Sequence, residues 1–462
     1  MKPYLVILPM AMLLGACKLG PDFKVPDVSG GSQWKESSAT TSSKHLPDDW
    51  WKLFGDAKLN ELVERSLAAN NDLAAAKARV ETARALIGVD RARMFPTLNL
   101  ASTAGISHTS ANVMNFPGLK LDNENYQASF QLAYDPDLWG RNKRLLEGVS
   151  AQAAASAALF DAQRLGLATE VARQYFVLRG LDAQDAVVRE TLVSRKEALD
   201  LQKSKTDAGL SDGLATSRAR TELELANNDL ALVQRQRGSA EHALAVLCGT
   251  RPADFSVPAK VTLPAMPNIR AELPASVLMR RPDVRAAEQQ LRAANARIGV
   301  AKTAFYPNFS LMGEAGLKSL KISDFLAWES RILSLGAGAV APVFDAGANT
   351  ARLTAARSSY NEALASYRQT LLVALREVED ALVDLQGLAH SRAALDAALA
   401  SSKDTRQLSQ ERYNQGLTSY LEVVDADRTV LQTRLALSAV EAQQRTTLAA
   451  LAKALGGGWK RK

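Results

Sequence analysis

The sequence predicts an α+β membrane protein built by internal duplication, in which each half supplies a strand pair to a membrane-spanning β-barrel and then a long helical hairpin. Three observations carry this. The chain matches itself at an offset of about 210 residues. Within each half the hydrophobic period switches from two to three-and-four. No proline occurs between Arg141 and Arg251, nor from Val343 to the end, so each stretch can hold uninterrupted helix. Apolar residues make up 47% and charged residues 23%, a globular balance that excludes a disordered or collagen-like chain.

The repeat is explicit. Ala85 to Pro96 aligns with Ala296 to Pro307, an offset of 211. Gly140 then pairs with Gly347, Gly209-Leu210 with Gly416-Leu417 and Gly249 with Gly456, all at 207. The change of four falls between Pro96 and Gly140, which assigns the length difference to one loop.

From the amino terminus, Lys2 and the apolar run Tyr4–Leu14 form an export signal, residues 1–16, too short to span a bilayer. Leu14-Gly15-Ala16-Cys17 resembles a bacterial lipobox, which makes Cys17 the first mature residue and the site of lipid attachment. Residues 17–60 form a lipidated tether, rich in Pro, Gly, Ser and Thr as far as Leu46. The first repeat spans 61–265, with a helix, a strand pair at about 97–134 and a helical hairpin at about 141–249. The second spans 266–456, with strands at about 307–343 and a hairpin at about 347–456. Residues 457–462 are a flexible basic tail.

The strands rest on alternation. Tyr126, Ala128, Phe130, Leu132 and Tyr134 alternate with polar residues, as do Leu98, Leu100, Ala104 and Ile106. Phe309, Leu311, Gly313, Ala315 and Leu317, then Leu333, Leu335, Ala337 and Ala339, repeat the pattern. Alternation alone fits both soluble hairpins and an outer-membrane barrel, whose strands have one apolar face. Past the signal there is no apolar run of 18 or more, so a membrane crossing here has to be a barrel. The helices show apolar positions recurring at three and four, at Val171, Tyr175 and Leu178, then Val188, Leu192 and Leu199, and in the second half at Val378, Leu382, Leu385, Leu388, Leu395 and Leu399. Gly209 and Gly416 end these helices.

Catalytic and metal chemistry find no support. Lys+Arg exceeds Asp+Glu by 56 against 49, but the bases are interspersed with acids, which argues against a nucleic-acid partner. Two cysteines and four scattered histidines give neither a disulfide framework nor a zinc spacing. Gly209-Leu210-Ser211-Asp212-Gly213 fits G-x-S-x-G, yet it separates two helices, whereas a nucleophile elbow joins a strand to a helix. Asp135/Asp137 and Asp425/Asp427 lack a third ligand. Cys248 is expected to be an inert buried thiol.

Four motifs together carry a family resemblance: Cys17–Pro26 (CKLGPDFKVP), Asp49–Asp56 (DWWKLFGD), Arg280–Glu288 (RRPDVRAAE), and Arg412-Tyr413-Asn414-Gln415-Gly416 with Ser419. They resemble the TolC-like outer-membrane efflux proteins, or outer-membrane factors, in the lipoprotein branch that includes NodT and OprM. The resemblance implies a homotrimer in which each protomer gives four strands to one outer-membrane barrel, continued by a periplasmic α-helical coiled-coil barrel. It implies a non-enzymatic, passive exit duct for small molecules such as drugs and toxic organics. Its partners would be a periplasmic adaptor (membrane fusion) protein and an inner-membrane pump, proton-driven in type. No cofactor is implied beyond covalent diacylglycerol and an N-acyl lipid at Cys17, and the location implied is the outer membrane, lipid-anchored and reaching into the periplasm. A scaffolding lipoprotein that uses its coiled coils to hold partners is the alternative, but an adaptor would have one hairpin and not a duplicated order.

The resemblance also assigns sites. Gly209, Leu210, Gly416 and Leu417 match the helix-turn tips that contact the adaptor; as residues alone they fit plain helix C-caps equally. Glu422 and Asp425 lie three apart on one helix face after the Gly416 turn, and they resemble the acidic positions of the periplasmic gate. A solvated helix face is the other reading, and Asp427 is assigned to it. The inter-helix arginine and aspartate of TolC align with Thr418 and Ala215, which removes that particular lock and leaves Arg218 or Arg428 to form another.

Overall fold

The structure, a computed structural model, describes residues 18–26, 34–35, 46–110, 122–269, 277–278 and 280–458. The export signal, Cys17, residues 27–33 and 36–45 of the expected tether and residues 459–462 of the expected tail lie outside these. The chain forms two compact units.

The first unit comprises residues 79–156 and 286–367 with the described residues 18–26. It contains one antiparallel sheet of order β1-β2-β3-β4, with β1 Thr97–His108, β2 Asp122–Tyr134, β3 Asn308–Ser319 and β4 Arg331–Val340. β1 begins directly after Pro96, and β4 ends two residues before Pro342, where a missing N–H cannot extend the ladder. The registers decide the faces. Leu98 opposes Leu132 and Leu100 opposes Phe130; Phe130 opposes Ala315; Ala315 opposes Leu333 and Gly313 opposes Leu335. All four apolar sets therefore share one face of the sheet, and the exposure of Leu98, Leu100, Leu333 and Leu335 is that of a surface made for lipid.

The described residues after Cys17 lie against this unit's helices. The Arg144 side chain is fully enclosed and donates to Leu19 O at 2.9 Å, Gly20 O at 3.0 Å, Asp22 at 3.0 Å and Glu147 at 2.9 Å. Asn295 donates to Pro21 O at 2.9 Å. Gly20 has φ +96°, and a Cβ there would stand 2.5 Å from Gly299 Cα, so both glycines are required for the close approach. A buried guanidinium is tolerable because carbonyls and carboxylates occupy its donors.

The second unit comprises the described residues of 27–78, 157–285 and 368–462. Its helices are α1 Ala57–Ala69, the lower part of α2 Asn71–Ala92, most of α3 Arg141–Asp207, α4 Gly213–Leu247, the beginning of α5 Pro282–Thr303, most of α6 Ala348–Asn414 and α7 Tyr420–Ala454. The core joins Trp50, Phe54, Leu59 and Leu62 to Val171, Tyr175, Phe176 and Leu178 of α3, Leu244 of α4, Val378 of α6 and Leu451 of α7. Each such side chain contributes roughly 1.5–3 kcal/mol on full burial.

Here the structure corrects the expected tether. Residues 50–60 fold: Trp50–Phe54 form a 3-10 turn closed by Gly55 at φ +64°, and α1 starts at Ala57. Trp50 is fully buried because the D-W-W-K-L-F segment caps the apolar stripe of α3. The expected tail is corrected likewise at its start. Gly457 and Gly458 are buried, with Leu165 and the Leu46 carbonyl too close to admit a Cβ.

Arg281 of the R-R-P-D motif is a structural clamp. It is buried and donates to Ala454 O at 3.0 Å, Asp283 at 2.7 Å and Glu377 at 2.6 Å. The C-terminus of α7, the N-terminus of α5 and α6 are thereby tied through one guanidinium.

Candidate functional site

The two hairpin turns, residues 208–212 and 415–419, are built alike. In the first, Gly209 N–H donates to Thr206 O and Leu210 N–H to Lys205 O; in the second, Gly416 N–H donates to Tyr413 O and Leu417 N–H to Arg412 O. This is the Schellman pattern, and it needs the left-handed backbone that Gly209 (φ +72°) and Gly416 (φ +74°) supply. Both turns push a leucine outward, Leu210 at 79% and Leu417 at 64% exposure. A leucine so placed gains nothing for the monomer, and the same arrangement at both turns gives two apolar contact points. The next helices are begun by Asp212, which accepts from Ala215 N–H, and by Ser419.

Just behind the turns, Leu199 of α3, Ala215 and Ala219 of α4, and Tyr420, Val423 and Val424 of α7 form a separate buried cluster. Tyr413 donates to Gln202 at 3.0 Å and stacks near Tyr420, with ring centroids 5.5 Å apart. Burial pushes the Tyr420 hydroxyl up to about 12, so it stays protonated at physiological pH.

Glu422 and Asp425 are exposed on α7. They line a groove of about 530 Å³ between α7 and the small side chains Ser401, Ser402 and Thr405 of α6. The expectation for Asp427 is overturned. It is half-buried and paired with Arg406 of α6 at 2.5 Å, and burial raises its carboxyl above the usual range although Arg406 and Arg195 oppose this. The two-residue step from Asp425 turns the side chain by about 200° around the helix, off the exposed face and toward α6.

Of Arg218 and Arg428, it is Arg428 that forms an ion pair between helices. Arg428 of α7 pairs with Glu222 of α4 and lies 3.8 Å from Asp425. Glu222 is buried and also pairs with Arg195 of α3 at 2.7 Å, and Arg195 donates to the Glu222 carbonyl at 2.6 Å. One carboxylate thus joins three helices. Arg218 is not part of this clasp. The sequence reading missed Glu222, although a signal was there: it is an acid on the buried stripe Ala215, Ala219, Glu222, Ala226 of α4, where a lone charge requires partners.

Ser211 lies in the turn between α3 and α4. Asp137 accepts from Lys143 N–H at the start of α3. Cys248 is buried against Leu62 O, and burial raises its thiol. Among the described residues no group of three His, Cys, Asp or Glu could hold a metal, and no helix is long and apolar enough to cross a membrane.

Comparison with known proteins agrees with this architecture. The family model described as "Outer membrane efflux protein" matches residues 62–250 and 273–457. Its two matched stretches start 211 apart and end 207 apart, the offsets of the internal repeat. The outer membrane protein OprJ of Pseudomonas aeruginosa is 32% identical over 454 residues, covering 97% of this chain and 95% of that protein. The toluene efflux pump outer membrane protein TtgC of Pseudomonas putida is 30% identical over 465 residues, covering 99% and 96%. The solved structure of the outer-membrane channel OprN superimposes with a TM-score of 0.88 at 31% identity, covering 96% of this chain and all of that one. With both repeats matched and relatives aligned end to end, the chain belongs to the outer membrane efflux protein family.

Proposed function

We propose that the protein is the passive exit duct of a tripartite export system, working as a homotrimer with a periplasmic adaptor and a proton-driven inner-membrane pump. The observation that carries this reading is the four-stranded sheet with all its apolar alternation on one face, in a family of outer-membrane efflux proteins. A four-stranded sheet with two free edges exposes unpaired backbone that lipid cannot satisfy, so it requires closure by further strands. Copies of the same chain supply them symmetrically. Small toxic organics and drugs are the cargo class favoured by relatives named for toluene and antibiotic efflux.

Cys17, carrying diacylglycerol and an N-acyl chain, anchors the N-terminus. Leu210 and Leu417, set by Gly209 and Gly416, contact the adaptor. Glu422 and Asp425 form the periplasmic gate, where threefold symmetry would gather their carboxylates about one axis and favour cations. The Arg195–Glu222–Arg428 clasp holds α7 against α3 and α4 behind them. Deleting the gene should raise the accumulation of a hydrophobic cationic dye, and the wild-type gene should restore export. The purified protein should run as a heat-modifiable trimer with single-channel conductance. Normal efflux in the deletion strain together with a monomeric, non-conducting protein would refute the reading.

A further inference from the structure

On the face of the sheet opposite the apolar sets, the described strands carry only two charged side chains, Glu314 and Lys318 of β3. The rest of that face is amide, hydroxyl, small or apolar. Glu314 stands seventh among the twelve residues of β3, midway along the strand. It opposes Gln131 of β2 and Ser334 of β4. Its carboxylate does not float: Gln127 Nε2 and Ser129 Oγ each donate to Oε1 at 2.7 Å. Ser129 is itself buried. Gly316 helps to make this fit, because a Cβ there would strike the Ala128 carbonyl and the Ser129 backbone. A carboxylate fixed by neutral donors keeps its charge and its position, the two properties that a selectivity element needs.

We propose that Glu314 is a charge-selecting residue inside the barrel, held on the lumen face by Gln127 and Ser129, and that it favours cationic over anionic solutes independently of Glu422 and Asp425. This rests on the trimeric channel reading, in which the polar face lines a water-filled lumen and symmetry presents three Glu314 carboxylates in one band. Lys318 lies four residues further on, about 13 Å along the strand. The two charges still interact, but they stand at different levels of the lumen, Lys318 opposing cations where Glu314 favours them.

The test is the reversal potential of purified trimers in planar bilayers under a KCl gradient. Glu314→Gln should lower the potassium-to-chloride permeability ratio by about twofold or more, and Lys318→Gln should raise it. Glu314→Lys should shift the ratio further toward chloride. The same Glu314→Gln shift should persist when Glu422 and Asp425 are both alanine. A ratio unchanged by Glu314→Gln in trimers that assemble and conduct normally would overturn the proposal. So would a shift that disappears in the Glu422→Ala, Asp425→Ala background. Loss of trimers and conductance from the wild-type protein would instead refute the channel reading beneath it.

Discussion

Asp56 shows how one side chain can secure an element and a core together. Its carboxylate caps α1 through Lys58 and Leu59 N–H, accepts from the buried Tyr175 hydroxyl at 2.8 Å and pairs with Lys260 at 3.2 Å. Burial would raise its carboxyl, but the Leu59 N–H, Tyr175 and Lys260 outweigh this and hold it below the usual range. Its contribution to stability is therefore complete above the ordinary carboxylate pKa and is lost as pH falls through the lowered value. Asp56→Ala should cost about 1 kcal/mol or more from the lost cap alone. In detergent, circular-dichroism melts of Asp56→Asn should show less acid destabilisation than wild type below about pH 4; identical acid profiles would dismiss the linkage. At the proposed gate, the double change Glu422→Ala and Asp425→Ala should increase conductance and weaken block by multivalent cations from the periplasmic side. Arg428→Ala should also raise conductance, since it frees α7 from Glu222. Trimers with wild-type conductance and block in both variants would remove the gate assignment.

At the scale of elements, each hairpin depends on its turn, and each turn is defined by a glycine that no other residue replaces without strain. The exposed leucines are dispensable for that geometry, which makes them separable probes of the adaptor contact. Leu210→Asp with Leu417→Asp should abolish export and adaptor crosslinking while trimers persist. Undiminished crosslinking would show that the tips are C-caps only. The strands carry the same separation of roles: alternation specifies which residues face lipid, and prolines mark where β1 starts and β4 stops. The 67-residue lengths of α3 and α6 follow from proline-free sequence, but their partners were not legible, because an apolar stripe does not name what it packs against.

For the whole molecule, the N-terminal segment links the proposed lipid anchor to folded structure. Residues 19–22 are locked on Arg144 and Asn295, so the acyl chains on Cys17 would be tethered two residues from a fixed point and held at the membrane by roughly 0.8 kcal/mol per buried methylene. Cys17→Ser should abolish incorporation of labelled palmitate and leave unprocessed precursor, while the barrel still inserts. Wild-type protein that takes up no label would exclude lipidation.

The sequence by itself determined the duplication, the four strands and their apolar faces, the helical hairpins and the glycine turns, because period, proline and glycine act within a few residues of themselves. Only the tertiary structure decided how β2 meets β3, strands with 173 residues between them, and with that register the place of Glu314. It also decided that Trp50 belongs to the core, that Asp427 turns to Arg406, and that Glu222 joins three helices through Arg195 and Arg428. Those outcomes depend on which surfaces meet. A charge is neutral in its consequences on a solvated face and decisive in a buried one, and no local pattern states which of the two it will find.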